Sequence, residues 1–139
     1  MKTLAKLIVF ILSITFTNAQ EVKGHDITVT IDNVVNNKGK VVFGLHTSET
    51  FMKGAGIQNA ESKIEAGKVT VTFKNVAQGT YAIMVLHDEN GNNRMDFQDN
   101  GMPMENYATS SKTTSFGPPQ FGESKFEITE EDLEIKIRF

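Results

Sequence analysis

Alternation of apolar and polar residues is the feature that most limits how this chain can fold. Apolar side chains recur at every second position in residues 27–32, and the same period returns in residues 41–45, 69–74 and 133–139. A period of two places neighbouring side chains on opposite faces of a β-strand, one against a core and one in water. Residues 81–86 are apolar throughout, which predicts a central strand covered on both faces.

Polar turns separate these segments and indicate the fold class. Turn-forming residues lie at 36–39, so we predict that residues 26–35 and 40–47 form a β-hairpin. Phe126 and Ile128 predict a further short strand, whereas residues 48–60 hold at most a short turn of helix. Six or seven short strands joined by polar turns predict an all-β fold, an antiparallel Ig-like β-sandwich of about seven strands.

The first 19 residues have the pattern of a secretory signal peptide. Two lysines precede an apolar run over residues 7–16, and the small residues Thr17 and Ala19 follow. The run is shorter than the roughly 20 apolar residues that cross a bilayer, which argues against a membrane anchor. We therefore predict cleavage after Ala19, a periplasmic or secreted location, and a single mature domain of residues 20–139.

The predicted mature domain is acidic and contains no cysteine. Removal of the first 19 residues leaves 12 basic and 17 acidic residues, a net charge of −5. An acidic chain has no electrostatic site for nucleic acid or anionic lipid, whereas its carboxylates suit divalent cations. The lack of cysteine excludes disulfides, thiol catalysis and cysteine-ligated zinc.

Residues 88–122 form a long segment without the strand pattern. Structureless loops of this length are uncommon in compact domains and usually carry a function. The segment contains the aromatic residues Phe97, Tyr107, Phe116 and Phe121. We predict an ordered loop that buries these rings and packs over one end of the sandwich.

The start of this segment has the oxygen spacing of a calcium-binding loop. The residues at positions 1, 3, 5, 7, 9 and 12 of such a loop would be Asp88, Asn90, Asn92, Arg94 through its carbonyl, Asp96 and Asp99. Asn93 stands where the motif has glycine, and no helices are predicted on either side. We predict that these six residues bind Ca²⁺ with a Kd on the order of 10⁻⁴ to 10⁻³ M. The alternative is that the Asp, Asn and Gly residues only form turns through side-chain to backbone hydrogen bonds.

Catalytic signatures are missing from the sequence, and we predict a protein that is not an enzyme and has no catalytic residues. It contains no nucleophile elbow, phosphate-binding loop or dinucleotide fingerprint. One alternative is a hydrolase-type enzyme that uses His87, Asp88 and nearby carboxylates, although a lone histidine at a strand end is more often structural. Another is a small-ligand or glycan-binding module that uses the loop aromatics together with Met102 and Met104.

Five segments, in this order, resemble the signature of domain-of-unknown-function family 2141. They are Phe73-Lys74-Asn75-Val76, Gly79-Thr80-Tyr81-Ala82-Ile83, His87-Asp88-Glu89-Asn90-Gly91-Asn92, Gly101-Met102-Pro103-Met104-Glu105-Asn106-Tyr107 and Gly117-Pro118-Pro119-Gln120-Phe121. The resemblance covers nearly all of residues 20–139, and Asn93 departs from it where the family has glycine. It implies a small exported bacterial protein with a prealbumin-like or carboxypeptidase-regulatory-like sandwich, and it brings no established activity and no catalytic residues.

Together, these features predict an exported, non-enzymatic β-sandwich domain, stabilised by Ca²⁺ in the 88–99 loop. It would act as a binding or structural module at the envelope or outside the cell. Its partner would be an envelope or extracellular protein or a glycan. We predict no nucleic-acid partner and no membrane insertion after signal cleavage.

Overall fold

The computed structural model describes residues 23–111 and 117–139, which fold mainly into β-strands. The elements in chain order are β1 (His25–Ile31), β2 (Lys40–His46), β3 (Gln58–Ser62), β4 (Val69–Val76), β5 (Gly79–Asp88), β6 (Tyr107–Thr109), α1 (Phe121–Ser124), β7 (Phe126–Ile128) and β8 (Leu133–Lys136). The predicted signal peptide, residues 1–19, and Phe116 lie outside the described residues. Within the described ranges, no helix has the length and hydropathy needed to cross a membrane.

Two sheets form the sandwich. The three-stranded sheet has the order β4-β1-β8, and the five-stranded sheet has the order β3-β2-β5-β6, with β7 paired to the start of β5. All pairs are antiparallel except β1 with β8, which run parallel. The predicted all-β sandwich is therefore confirmed, with eight strands instead of seven. The prediction of a central strand is also confirmed, because β5 pairs with β2, β6 and β7.

The core lies between the two sheets and consists of the alternating apolar residues. Its largest contributors from the three-stranded sheet are Ile27, Val29, Ile31, Val69, Val71 and Phe73. Those from the five-stranded sheet are Val41, Phe43, Leu45, Tyr81, Ile83 and Val85. Burial of each such side chain favours folding by about 1.5–3 kcal/mol, which explains why the two-residue period determines the fold.

The predicted hairpin of residues 26–35 and 40–47 is wrong, because β1 and β2 lie in different sheets. β1 pairs with β4 and β8, whereas β2 pairs with β3 and β5. The connection between them crosses one end of the sandwich, where buried Val34 donates its backbone N–H to the Gly67 carbonyl. Alternation specifies that one face of a strand is buried, but not which sheet the strand joins.

Residues 47–62 contain a turn followed by a strand that the sequence did not predict. The turn closes where the Phe51 N–H bonds the Thr47 carbonyl, and Phe51 is buried. The strand, β3, is an edge strand on β2. Its sequence, Gln-Asn-Ala-Glu-Ser, has only Ala60 as an apolar residue and so lacks the alternation that revealed the other strands.

The long segment 88–122 is interrupted by β6, and α1 begins within it, so it is not one uninterrupted loop. The prediction that its aromatic rings are buried is wrong for Phe97 and Tyr107, which are 60% and 39% exposed. Phe121 is partly buried and meets Phe51 edge-on, with 5.7 Å between ring centroids. Carboxylates near the two ends of the 89–106 loop, which is the first part of this segment, hold that loop in place.

Candidate binding groove and the adjoining acidic loop

Asp88 is the last residue of β5, and its buried carboxylate folds the chain that follows. Its Oδ1 accepts the backbone N–H groups of Gly91 at 2.7 Å and Asn92 at 3.1 Å. Its Oδ2 accepts the N–H of Asn93 at 2.8 Å. Asn93 has φ of +62°, in the left-handed region that asparagine tolerates. These contacts are the side-chain to backbone bonds of a turn-forming aspartate.

Three of the predicted calcium ligands converge a few residues further on. Asp96 Oδ2 accepts hydrogen bonds from Asn90 Nδ2 at 2.6 Å and from Asn92 Nδ2 at 2.8 Å. The Asn90 bond, followed by that from Asn92, holds the pKa of Asp96 below its ordinary value. Of the other predicted ligands, the Asp88 carboxylate accepts backbone N–H groups, and the Asp99 side chain is exposed.

No group of three or more His, Cys, Asp or Glu side chains in residues 23–111 and 117–139 could hold a metal ion. The set that does converge contains one carboxylate, Asp96, and two amides, Asn90 and Asn92. Calcium binding by this loop therefore stays a prediction.

Glu105 holds the other end of this loop, a role that the sequence did not reveal. Its carboxylate is buried, and Oε1 accepts the backbone N–H of Glu89 at 3.0 Å. Oε2 accepts the N–H of Asp96 at 3.3 Å. Together with Asp88, it holds residues 89–105 in a defined shape without a buried aromatic ring. A glutamate between methionine and asparagine carries no periodic signal, so only its position in space reveals this function.

His87 and Asp88, the residues of the hydrolase-type alternative, are both buried with no exposed surface. His87 Nε2 lies 2.9 Å from the Lys38 carbonyl, and its Nδ1 has no hydrogen-bond partner among the described residues. The ring also packs at 6.1 Å from the ring of Phe139, in the core. A substrate in solvent would not reach either side chain in this arrangement.

The outer face of the five-stranded sheet carries apolar residues where water-facing side chains are usually polar. Val42 pairs with Leu86, and Gly44 pairs with Met84, on the face opposite the core. The side chains of Val42, Met84 and Leu86 are only partly buried. In an antiparallel sheet with one face in solvent, strands alternate apolar and polar residues, so this face is built to be covered.

Loops rise around this face and enclose a groove of ≈ 1160 Å³, here called the outer-face groove. The 89–106 loop supplies Met95, Phe97 and Met102 to one wall, and the loop after β2 supplies Met52. Further walls come from Ala55, Asn59, Ala60, Glu61, Pro103, Tyr107, Pro118 and Pro119. Volumes of several hundred to about 1,000 Å³ are typical of small-molecule sites.

The outer-face groove is close to electrically neutral. Among the described residues that line it, Glu61 is the only Asp, Glu, Lys or Arg. The Lys40 ammonium lies 2.6 Å from the Glu61 carboxylate and offsets its charge. The described residues that line the groove therefore offer no uncompensated charge to a ligand.

His46 stands at one end of the groove, on the same face as Val42 and Gly44. Its Nδ1 lies 3.2 Å from the Thr50 carbonyl, and its ring meets Phe51 edge-on. Burial lowers the pKa of His46 below its ordinary value, which favours the neutral imidazole. Its Nε2 lies over Gly44, where an added Cβ would approach it to 2.5 Å. Glycine inside a strand is a sequence sign of such a close approach.

Comparison with known proteins identifies one family. A family described as uncharacterized proteins conserved in bacteria, DUF2141, matches residues 29–136. No curated protein and no solved structure matches the chain. The matched range begins within β1 and ends with β8, so it includes the other seven strands, the acidic loop and all the described residues that line the groove.

Proposed function

We propose that this chain, which belongs to the DUF2141 family of uncharacterized bacterial proteins, is an exported, non-enzymatic module that binds a small apolar molecule. The binding site is the outer-face groove. The observation that carries this proposal is the apolar, partly exposed floor formed by Val42, Met84 and Leu86 beneath two loops. Export is supported by the signal-peptide pattern of residues 1–19.

The chemistry of the lining determines the class of ligand. Glu61 is paired with Lys40, and burial favours the neutral form of His46. A charged ligand would therefore lose hydration without gaining a charged partner among the described residues. An uncharged ligand that covers Met84 and Leu86 removes apolar surface from water and gains about 25 cal/mol per Å². The preferred occupant is therefore a neutral, apolar small molecule.

A glycan fits this lining less well than an apolar ligand. Sugar hydroxyls need hydrogen-bonding partners when they are buried, and the floor offers almost none. Four of the lining side chains are methionines, Met52, Met84, Met95 and Met102, whose flexible thioethers adapt to apolar ligands of different shapes. This composition favours the small-ligand form of the binding alternative.

Titration with the neutral, apolar fluorophore N-phenyl-1-naphthylamine tests the proposed site. The fluorophore should brighten and saturate at one equivalent, with a Kd on the order of micromolar, about −8 kcal/mol. Leu86→Lys places an ammonium in the floor and should weaken binding about tenfold or more, because the ligand would have to desolvate that charge.

Thr72→Lys is the matched control for this titration. Thr72 is exposed on β4, in the opposite sheet, and its hydroxyl lies 3.2 Å from that of Thr28. The variant also adds one lysine to the outer face of a sheet, and it should bind the fluorophore like the wild type. Equal binding by Leu86→Lys, or equal losses in both variants with both still folded by circular dichroism, would contradict the proposed site.

A second proposal, weak Ca²⁺ binding in the acidic loop, is supported by the convergence of Asn90 and Asn92 on Asp96. Rotation of the two amides would present their oxygens beside the carboxylate, a ligand chemistry that calcium accepts. Calcium at ten times its Kd should stabilise the fold by about 1.4 kcal/mol and raise the melting temperature by a few degrees. Differential scanning fluorimetry measures this shift.

Asp96→Asn and Glu131→Gln provide the calcium comparison, since each removes one carboxylate charge. Asp96→Asn should abolish the calcium-induced rise, because it removes the only carboxylate of the converging set. Glu131 is exposed in the turn before β8, and its variant should keep the rise. A wild-type melting temperature that does not change at several millimolar calcium would end the calcium proposal.

A further inference from the structure

The methionines of this chain are concentrated in the outer-face groove. Of the five methionines after residue 1, four line it: Met52, Met84, Met95 and Met102. The fifth, Met104, is 63% exposed and lies outside the lining. Besides their flexibility, these side chains carry thioether sulfurs, a soft donor atom that leucine and isoleucine lack.

His46 has the environment of a metal-binding imidazole. Its Nδ1 lies 3.2 Å from the Thr50 carbonyl, which accepts the ring N–H and leaves Nε2 with a free lone pair. No described residue forms a hydrogen bond with Nε2. Metal-binding histidines typically donate the other ring N–H to a carbonyl or carboxylate in this manner, which fixes the tautomer and the ring orientation.

Met84 and the free nitrogen of His46 lie on the same face of the sheet, on either side of Gly44. Nε2 is positioned over Gly44, and Gly44 is directly opposite Met84 in the β2–β5 pair. Side chains opposite each other on one face of an antiparallel pair have Cβ atoms about 4.5–5.5 Å apart. The absence of a side chain on Gly44 therefore lets the imidazole lie over this position, next to the residue that pairs with Gly44, Met84.

Met52 reaches the same groove from the turn that also orients His46. Its φ of +60° is in the left-handed region, which is unfavourable for a residue with a side chain. The conformation is maintained by hydrogen bonds from Phe51 N–H to the Thr47 carbonyl and from Lys53 N–H to the Thr50 carbonyl. Residues with backbone strain of this kind cluster at active sites and ligand-binding sites.

We propose that the His46 end of the outer-face groove binds one Cu(I) ion through His46 Nε2 and the thioethers of Met84 and Met52. Thioether and imidazole ligands suit Cu(I), whereas hard cations such as Ca²⁺ and Mg²⁺ require oxygen ligands. All three proposed ligands are neutral, so a monovalent ion leaves the smallest charge in an apolar groove. The proposal goes beyond binding of an apolar molecule and does not depend on it.

Metal titrations of the purified protein test this site. Ag(I), which has the same charge and similar ligand preferences and needs no reductant, is added first, and Cu(I) is then measured by competition with bicinchoninate under ascorbate. The wild type should bind one equivalent of each ion. Met84→Leu should weaken binding of both about tenfold or more, and His46→Gln should do the same.

Met104→Leu is the control, because it removes a thioether outside the groove. It should bind both ions like the wild type. Equal affinity of Met84→Leu and wild type, or equal losses in Met84→Leu and Met104→Leu, would overturn the metal site. A wild type that binds Ag(I) and Cu(I) without brightening N-phenyl-1-naphthylamine would contradict the proposed function alone. A wild type that brightens the fluorophore but binds neither ion would contradict the metal site alone.

Discussion

Replacing Asp88 by alanine is expected to lower the free energy of unfolding by about 3 kcal/mol. The carboxylate is buried and accepts three backbone N–H groups, those of Gly91, Asn92 and Asn93. Hydrogen bonds to a charged group contribute about 1.5–3 kcal/mol each, and the exposed loop regains part of this by binding water. The substitution also leaves a small cavity at the end of β5.

Urea unfolding at neutral pH measures this loss, with two companion variants. Asp88→Asn keeps the side-chain size but has one acceptor oxygen, so it should lose about half as much free energy. Asp99→Ala removes a carboxylate that is exposed in the same loop and should change stability by less than about 0.5 kcal/mol. A loss below about 1 kcal/mol for Asp88→Ala would show that the carboxylate does not organise the loop.

The same substitution should weaken ligand binding, because the Asp88 contacts position one wall of the groove. Residues 91–93 are held by the carboxylate, and Asn93, Met95 and Phe97 line the groove. When that loop loses its anchor, the wall no longer covers the floor. A stable Asp88→Ala protein with unchanged affinity for the fluorophore would show that the loop does not contribute to the binding site.

Gly39→Ala is expected to destabilise the fold by about 3 kcal/mol or more. Gly39 has φ of +63°, and an added Cβ would overlap the carbonyl oxygen of Asp88 and lie 2.7 Å from Glu89 Cα. These are backbone atoms of the neighbouring strand end, so side-chain rotation does not relieve the overlap. The first residue of β2 would have to separate from the last residue of β5, which breaks the Lys40–Asp88 pairing.

Gly91→Ala is the matched control for backbone strain. Gly91 also has a positive φ, +77°, but no atom lies within 4 Å of an added Cβ. Its substitution should cost only about 1 kcal/mol, the strain of a left-handed alanine. Thermal unfolding of both variants makes the comparison, and equal losses would show that strain, not close packing against Asp88, makes Gly39 necessary.

Strand positions were predictable from the sequence wherever burial is one-sided. Ile27, Val29 and Ile31 alternate because one face of β1 meets the core, and β4 repeats the pattern. The uninterrupted apolar run of residues 81–86 correctly indicated the central strand. These patterns reflect local geometry alone, since every second side chain points the same way.

Pairing partners were not predictable, because burial does not specify them. β1 and β2 have the same alternation whether they pair with each other or face each other across the core. β3 escaped prediction because edge strands bury little, and only Ala60 of this strand is apolar. The β1–β8 parallel pair joins residues more than 100 positions apart, and no local pattern encodes it.

Parts of the candidate site were visible in the sequence, and parts were not. The turn-forming run from Asp88 was recognised, and Met102 was considered for a binding surface and lines the groove. Met104, considered with it, does not line the groove. The position of His46 over Gly44 required the structure, because it depends on the loop after β2 folding back onto the sheet.

The apolar outer face of the five-stranded sheet is the proposed ligand site. An NMR titration of protein labelled at the methionine methyl groups tests it most directly, with N-phenyl-1-naphthylamine as ligand. We predict that the methyl signals of Met52, Met84, Met95 and Met102 shift with one common Kd, whereas that of Met104 does not. Unchanged signals from all four groove methionines, or an equal shift at Met104, would contradict the account.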